Sequence, residues 1–248
     1  MPDQQAVPEE ERLRRDVALC TRMLAAEGLL AYSGHVSARL PGGDRILIQP
    51  YDENRIEVTP ECLIEVDLEG RVVSNRFNAK PPDETVIHTE IMKSRPDAMA
   101  VLRFHPETAV LFSIVEGVAL APVKNHASRW ASGIPVHEDA SKINSPEQGK
   151  ALAKSLGPHN GVLMRAHGAT ILSESLPALL VDAVHFNENA ECMYRASMLG
   201  KVLLLSQAEM EDVDAHTDRG HHAMKLWKFY EARAFEAGHL DGIDNPAD

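Results

Sequence analysis

Three residues carry side chains suited to divalent-metal or proton-transfer chemistry at positions a fold could bring together: Glu84, His105 and His167. First-row divalent ions take imidazole and carboxylate ligands, and a catalytic site keeps positions open for substrate beside its protein ligands. His105-Pro106 and His167-Gly168 each follow an apolar run, so neighbouring strands could carry both imidazoles to one rim of a sheet. Spacing by itself does not establish this. With 12 histidines in the chain, most must be surface or structural, and a glutamate in a first helical turn usually answers the helix dipole.

The elements that must position these residues are legible in outline. Leu13, Val17, Cys20 and Leu24 recur at helical spacing behind an acidic start, and Gly28 is a plausible stop. Residues 45–48, 63–66 and 71–73 are rich in Ile, Leu and Val and are separated by glycine-bearing turns, which predicts antiparallel strands. A helix is expected from near Asp83, with Ile87 and Ile91 on its inner face, ending before Pro96; residues 98–104 then read as a strand that leaves His105 at its end. Ser145-Pro146-Glu147-Gln148 has the spacing of a capping box and opens a helix that Gly157 closes. Residues 162–165 and 170–172 read as strands joined tightly through His167-Gly168, and residues 176–199 as a long helix ended by Gly200. The last segment, residues 207–248, reads as a helical tail in which Trp227 and Tyr230 either pack in the core or close the cavity of a neighbouring subunit. Strands interleaved with helices predict a layered α/β architecture in one domain spanning residues 1–248.

Composition narrows the function classes. Lys and Arg number 25 against 37 Asp and Glu, and a net charge of −12 argues against nucleic acid or an anionic membrane surface as partner. The cysteines Cys20, Cys62 and Cys192 are odd in number and lack CxxC spacing, which fits a reducing cytoplasm rather than a disulfide framework or thiolate metal site. No basic, then apolar, leader opens the sequence, and no run of about 18 apolar residues follows, so neither export nor a membrane span is expected.

Gly34-His35-Val36-Ser37-Ala38-Arg39, Lys80-Pro81-Pro82-Asp83-Glu84 with His88, Arg95-Pro96-Asp97 leading to Arg103-Phe104-His105-Pro106, and Arg165-Ala166-His167-Gly168 occur in the order and approximate spacing of class II aldolase/adducin proteins. The chain resembles that family from about Leu13 to Leu199. The resemblance implies a three-layer α/β/α fold with a central, mostly antiparallel sheet, assembled as a homotetramer or higher homo-oligomer. It also implies one divalent metal ion (zinc, manganese or iron) on three histidines, with a glutamate as acid/base. Carried onto this sequence, the glutamate is Glu84, the second histidine of the family's His-x-His pair is His105, and the later histidine is His167. Arg103 stands where the first histidine of the pair belongs, and a guanidinium has no lone pair to give a cation. Three outcomes stay open: a set of His105, His167 and Glu84, no metal at all, or recruitment of His88 from the same helical face as Glu84.

The positions that hold phosphate in sugar-phosphate members have changed as well. His35 replaces an asparagine, Pro82 and Asp83 replace serines, and residues 49–60 replace a shorter turn. Proline offers no donor, and an aspartate repels a dianion. His35 and Arg103 could instead bind a carboxylate, and in this the motifs look most similar to those of hydroxy-aromatic or pyridine dicarboxylate decarboxylases. The expected function is a metal-dependent carbon–carbon lyase that decarboxylates a small hydroxylated aromatic or related carboxylic acid. Aldol chemistry on a non-phosphorylated hydroxy-keto acid and a non-catalytic assembly module are the alternatives. The simpler reading of Arg103, a salt bridge to Glu84 or Asp83, stands beside the substrate-binding one.

Overall fold

The computed structural model describes residues 8–243. Residues 1–7 and 244–248 lie outside the described residues, and with them the start of the leader reading and both ends of the expected 1–248 span.

Helix α1 (Glu9–Ala26) begins with Glu9, Glu10 and Glu11 in its first turn and gives way to Gly28, whose φ of +70° suits a helix stop. Strands β1 (His35–Arg39), β2 (Arg45–Ile48), β3 (Ile64–Asp67) and β4 (Val72–Ser74) follow as an antiparallel meander. Helix α2 (Thr85–Ser94) leads to β5 (Ala100–Phe104) and the short α3 (Glu107–Leu111), and β6 (Val136–His137) precedes α4 (Pro146–Leu156). Strands β7 (Gly161–Met164) and β8 (Gly168–Ser173) form a hairpin, and α5 (Leu176–Ser197), α6 (Gln207–His216) and α7 (Arg219–Glu236) complete the chain.

The strands form one eight-stranded sheet in the order β4-β3-β2-β1-β5-β8-β7-β6, antiparallel except for the β6–β7 pair. Because side chains alternate across a strand, each face of the sheet feeds its own core. Val36, Ala38, Leu47, Leu102, Phe104 and Ile171 pack with residues of α1 and α5 on one face. Ile46, Ile48, Ile64, Val66, Val101 and Val162 pack with Ile87, Ile91 and Leu152 of α2 and α4 on the other. The result is the three-layer α/β/α arrangement. Trp227 is buried in the first core and Tyr230 packs against it, so α7 anchors to its own chain.

The Gly34–Arg39 motif is strand beyond Gly34: His35–Arg39 is β1, paired to β2 on one side and β5 on the other. Elements as brief as β6 and α3 carry too few residues to show a period. The capping box at α4 is complete: Ser145 accepts from the Gln148 amide at 3.3 Å, and Gln148 accepts from the Ser145 amide at 3.2 Å.

Candidate active site

The pairing register places His35 directly opposite Arg103, and Arg103 opposite Thr170. Alternation then turns His35, Ser37 and Arg103 toward the layer of α2, whose N-terminus covers them. Glu84 is the N-cap residue of α2 but makes no side-chain cap. Instead its carboxylate, buried with the rest of the residue, lies 3.0 Å from Arg103 Nη2 and 3.5 Å from His35 Nε2. The helix-dipole reading of Glu84 is therefore replaced by a buried ion pair, and the salt-bridge reading of Arg103 is the geometry observed.

Close backbone approach brings the two later histidines in. His105 follows β5, and His167 sits in the β7–β8 turn, where its amide donates to the Met164 carbonyl at 3.0 Å and Ala166 adopts a left-handed φ of 57°. The next residue is glycine by necessity: a Cβ on Gly168 would lie 2.4 Å from the Phe104 carbonyl oxygen and 3.3 Å from the His105 ring. Gly34 is under similar constraint, with φ +95° and a would-be Cβ 2.9 Å from the Arg103 carbonyl oxygen. Gly168→Ala should push the turn off β5, separate the imidazoles and destabilise the chain by about 2–3 kcal/mol, as overpacking against backbone does. A melting temperature unchanged in that variant would show that the approach is looser than described.

The imidazole rings of His105 and His167 have centroids 5.7 Å apart. Arg103 Nη1 donates to His105 Nε2 at 2.5 Å, and Arg103 Nη2 donates to His167 Nε2 and reaches Glu84 Oε1 at 3.3 Å. Because a guanidinium can only donate, Arg103 Nη1 makes His105 Nε2 the acceptor and leaves the ring proton on Nδ1, 3.2 Å from Ser33 Oγ. Burial, reinforced by the Arg103 charge, lowers the pKa of His105 to about 4 and that of His167 below its ordinary value, so both rings are neutral near pH 7. Arg103 Nε and His167 Nδ1 are buried without a partner among the described residues, and each calls for an acceptor from water, substrate or a neighbouring chain.

A second hydrogen-bonded line runs beneath. Ser37 Oγ is 2.7 Å from His88 Nδ1, and His88 Nε2 is 2.6 Å from His35 Nδ1. The assignment that satisfies every atom has Ser37 donating to His88, His88 to His35, and the His35 Nε2–H facing Glu84. Burial holds both His35 and His88 well below the usual histidine pKa. His88 thus supports His35 from behind and is not aimed at the Glu84, His105 and His167 cluster.

The small cavity over this site, about 60 Å³, is lined by His35, Arg103, Glu84, Tyr51, Arg55 and Lys142 among others. A wider cleft of about 390 Å³ lies on the other side of Ser33, against His105. Tyr51, Arg55 and Lys142 were not singled out from sequence. Arg55 lies in the 49–60 segment and donates to the Gly34 carbonyl at 2.9 Å, tying that segment to the start of β1. Lys142 comes from a loop 59 residues beyond Asp83, which it meets at 2.6 Å. Asp83 is also 2.5 Å from Lys80, so the repulsion expected of it toward an anion is offset by two ammonium groups. What still argues against a phosphate cradle is Pro82 and the substitution at His35.

A divalent ion held by Glu84, His105 and His167 needs the Nε2 lone pairs and a carboxylate oxygen aimed at one vacant point. Here that point holds the Arg103 guanidinium, and the donor set as arranged does not fit an ion. Among the described residues no group of three or more His, Cys, Asp or Glu is disposed to bind a metal.

Residues 15–194 match the family described as class II aldolase and adducin N-terminal domain. The chain belongs to that family. It is 28% identical over 242 residues to the 3,4-dihydroxyphthalate decarboxylase of Rhodococcus jostii (strain RHA1), covering 90% of this chain and 96% of the relative. It is 32% identical over 178 residues to the methylthioribulose-1-phosphate dehydratase of Methylococcus capsulatus (strain ATCC 33009 / NCIMB 11132 / Bath), covering 66% of this chain and 81% of that enzyme. Among solved structures, an aldolase II superfamily protein from Pseudomonas syringae superposes with a TM-score of 0.81 at 22% identity, covering 97% of this chain and 98% of the other. The class II aldolase fold is thereby established, and the curated relatives are enzymes of more than one reaction.

Proposed function

We propose that this family member is a carbon–carbon lyase that decarboxylates a hydroxylated aromatic or related carboxylic acid. The observation that carries the reading is the buried Glu84 carboxylate held between the Arg103 guanidinium and the His35 imidazole at the base of a cavity with Lys142 at its edge. Such a pocket favours an anionic, oxygen-rich substrate and sets a proton carrier against it. Similarity to a decarboxylase along nearly the whole chain supports the same choice.

In this mechanism Glu84 takes the proton of the substrate hydroxyl and returns it to the ring carbon that bears the departing carboxylate. The carbon–carbon bond then breaks, CO2 leaves, and its electron pair is drawn through the ring onto the hydroxyl-derived oxygen. Arg103 supplies a fixed positive charge where that oxyanion develops, and no reorganisation is needed because β5 and its neighbours hold it in place. His35 donates from Nε2, kept in that tautomer by His88. Lys142 is the cation for a carboxylate that is retained.

No helix among the described residues is long and apolar enough to cross a membrane. The free cysteines suit a cytoplasmic setting, and the exposed Leu199, Leu203, Phe229 and Phe235 suit burial in a homo-oligomer. The test is CO2 release from a panel of hydroxylated benzene mono- and dicarboxylates. Release from at least one of them supports the reading; none from any, with the protein folded, removes it.

A further inference from the structure

We propose that Arg103 is a built-in cation occupying the position a divalent metal would take among Glu84, His105 and His167, so that this chain holds no metal there until Arg103 is replaced. The exclusion of metal stands on geometry alone, whereas the electrophilic role of the guanidinium rests on the lyase reading above.

One guanidinium edge addresses all three would-be ligands. Nη1 takes the His105 Nε2 lone pair at 2.5 Å, and Nη2 takes that of His167 and lies 3.0 Å from Glu84 Oε2. A nitrogen lone pair cannot serve an N–H donor and a metal ion together. Nor can Arg103 easily step aside. Its backbone is paired on both sides, to His35 in β1 and Thr170 in β8, and the residue is 3% exposed. Glu84 pairs with its guanidinium, and His35, opposite it in the register, is backed by His88.

Charge balance points the same way. Arg103 is paired with the Glu84 carboxylate at 3.0 Å and donates to Nε2 of both imidazoles, so its charge is already matched within the buried cluster. A dication added beside an immobile guanidinium would find no further carboxylate in contact among the described residues to compensate it. The two histidines are nevertheless preset for ligation. Both rings already turn an accepting Nε2 toward the same guanidinium, and Ser33 Oγ lies at the far nitrogen of His105. Removing the guanidinium should therefore uncover a working metal position rather than a disordered gap.

The experiment compares wild type with Arg103→His and Arg103→Met, stripped with chelator, dialysed against buffered zinc or manganese, and assayed for metal per chain and for the rise of melting temperature with added metal. Arg103→His is expected to bind about one equivalent, and Arg103→Met to bind more weakly through two imidazoles and a carboxylate. Wild type should bind at least about tenfold less and show no metal-dependent rise. Stoichiometric metal in wild type that is lost in His167→Ala overturns the proposal, and this arm decides even if both Arg103 variants fail to fold. Folded Arg103 variants that take up no more metal than wild type overturn it as well. None of these readouts uses substrate, so a metal-free wild type that releases no CO2 sinks the lyase reading while leaving the masked metal position intact.

Discussion

Glu84→Gln lowers the rate of CO2 release by about 10²–10⁴-fold, the contribution expected of a positioned proton carrier. The variant keeps a carbonyl oxygen of the same reach, so Arg103 Nη2, 3.0 Å from the native carboxylate, still finds an acceptor. What it loses is the ability to take and return a proton, together with the negative charge facing the guanidinium. Because the native pair is buried, some stability goes with that charge, less than the roughly 3–5 kcal/mol seen when one partner of a buried pair is removed outright. Rate and stability must therefore be read on the same preparation, with single-turnover CO2 release set beside thermal unfolding. A rate within tenfold of wild type in a folded variant would move the proton carrier elsewhere, and His35 would then be the nearest alternative.

Stability to unfolding falls steadily as the pH is lowered from about 6.5 toward 4, before most carboxylates titrate. Burial holds His35 and His88 well below the usual histidine pKa; burial and then Arg103 hold His105 at about 4, and burial and then His126 hold His185 at about 3. In that window the unfolded chain binds protons at these rings and the folded chain does not. The unfolded state is favoured on acidification, and the stability these groups contribute is fully present only above pH 6.5. Each fully buried ring contributes a slope of up to about 1.4 kcal/mol per pH unit, and the half-buried ones less. Asp83 acts in a different range. Hydrogen bonds from Lys142 and Lys80 hold its carboxyl at about 2, so its contribution is lost only as pH falls below about 3.8. Urea unfolding at half-unit pH steps separates the two, and a flat profile from 6.5 to 4.5 would contradict the buried neutral histidines.

The sequence by itself determined the outline. Periodicity and punctuation located the helices around Val17, Ile87 and Leu152 and the strands around Leu47 and Val101, because burial on a helix or strand face imposes a repeat that survives in one dimension. Cap chemistry marked the start of α4 through Ser145 and Gln148 for the same local reason. Motif order brought Glu84, His105, His167, His35 and Arg103 forward as a group, and the fold does gather them. Only the tertiary structure decided what the group is. Whether Arg103 faces substrate, solvent or its own neighbours depends on the His35–Arg103 pairing and on the Gly168 approach to Phe104, contacts between residues far apart in the chain. The support of His35 by His88, and the arrival of Lys142 beside Asp83, are likewise products of layers closing on one another. A side chain's type fixes what it can donate or accept; which partner it meets is set by register and packing, and at this site that difference puts a guanidinium among three potential metal ligands.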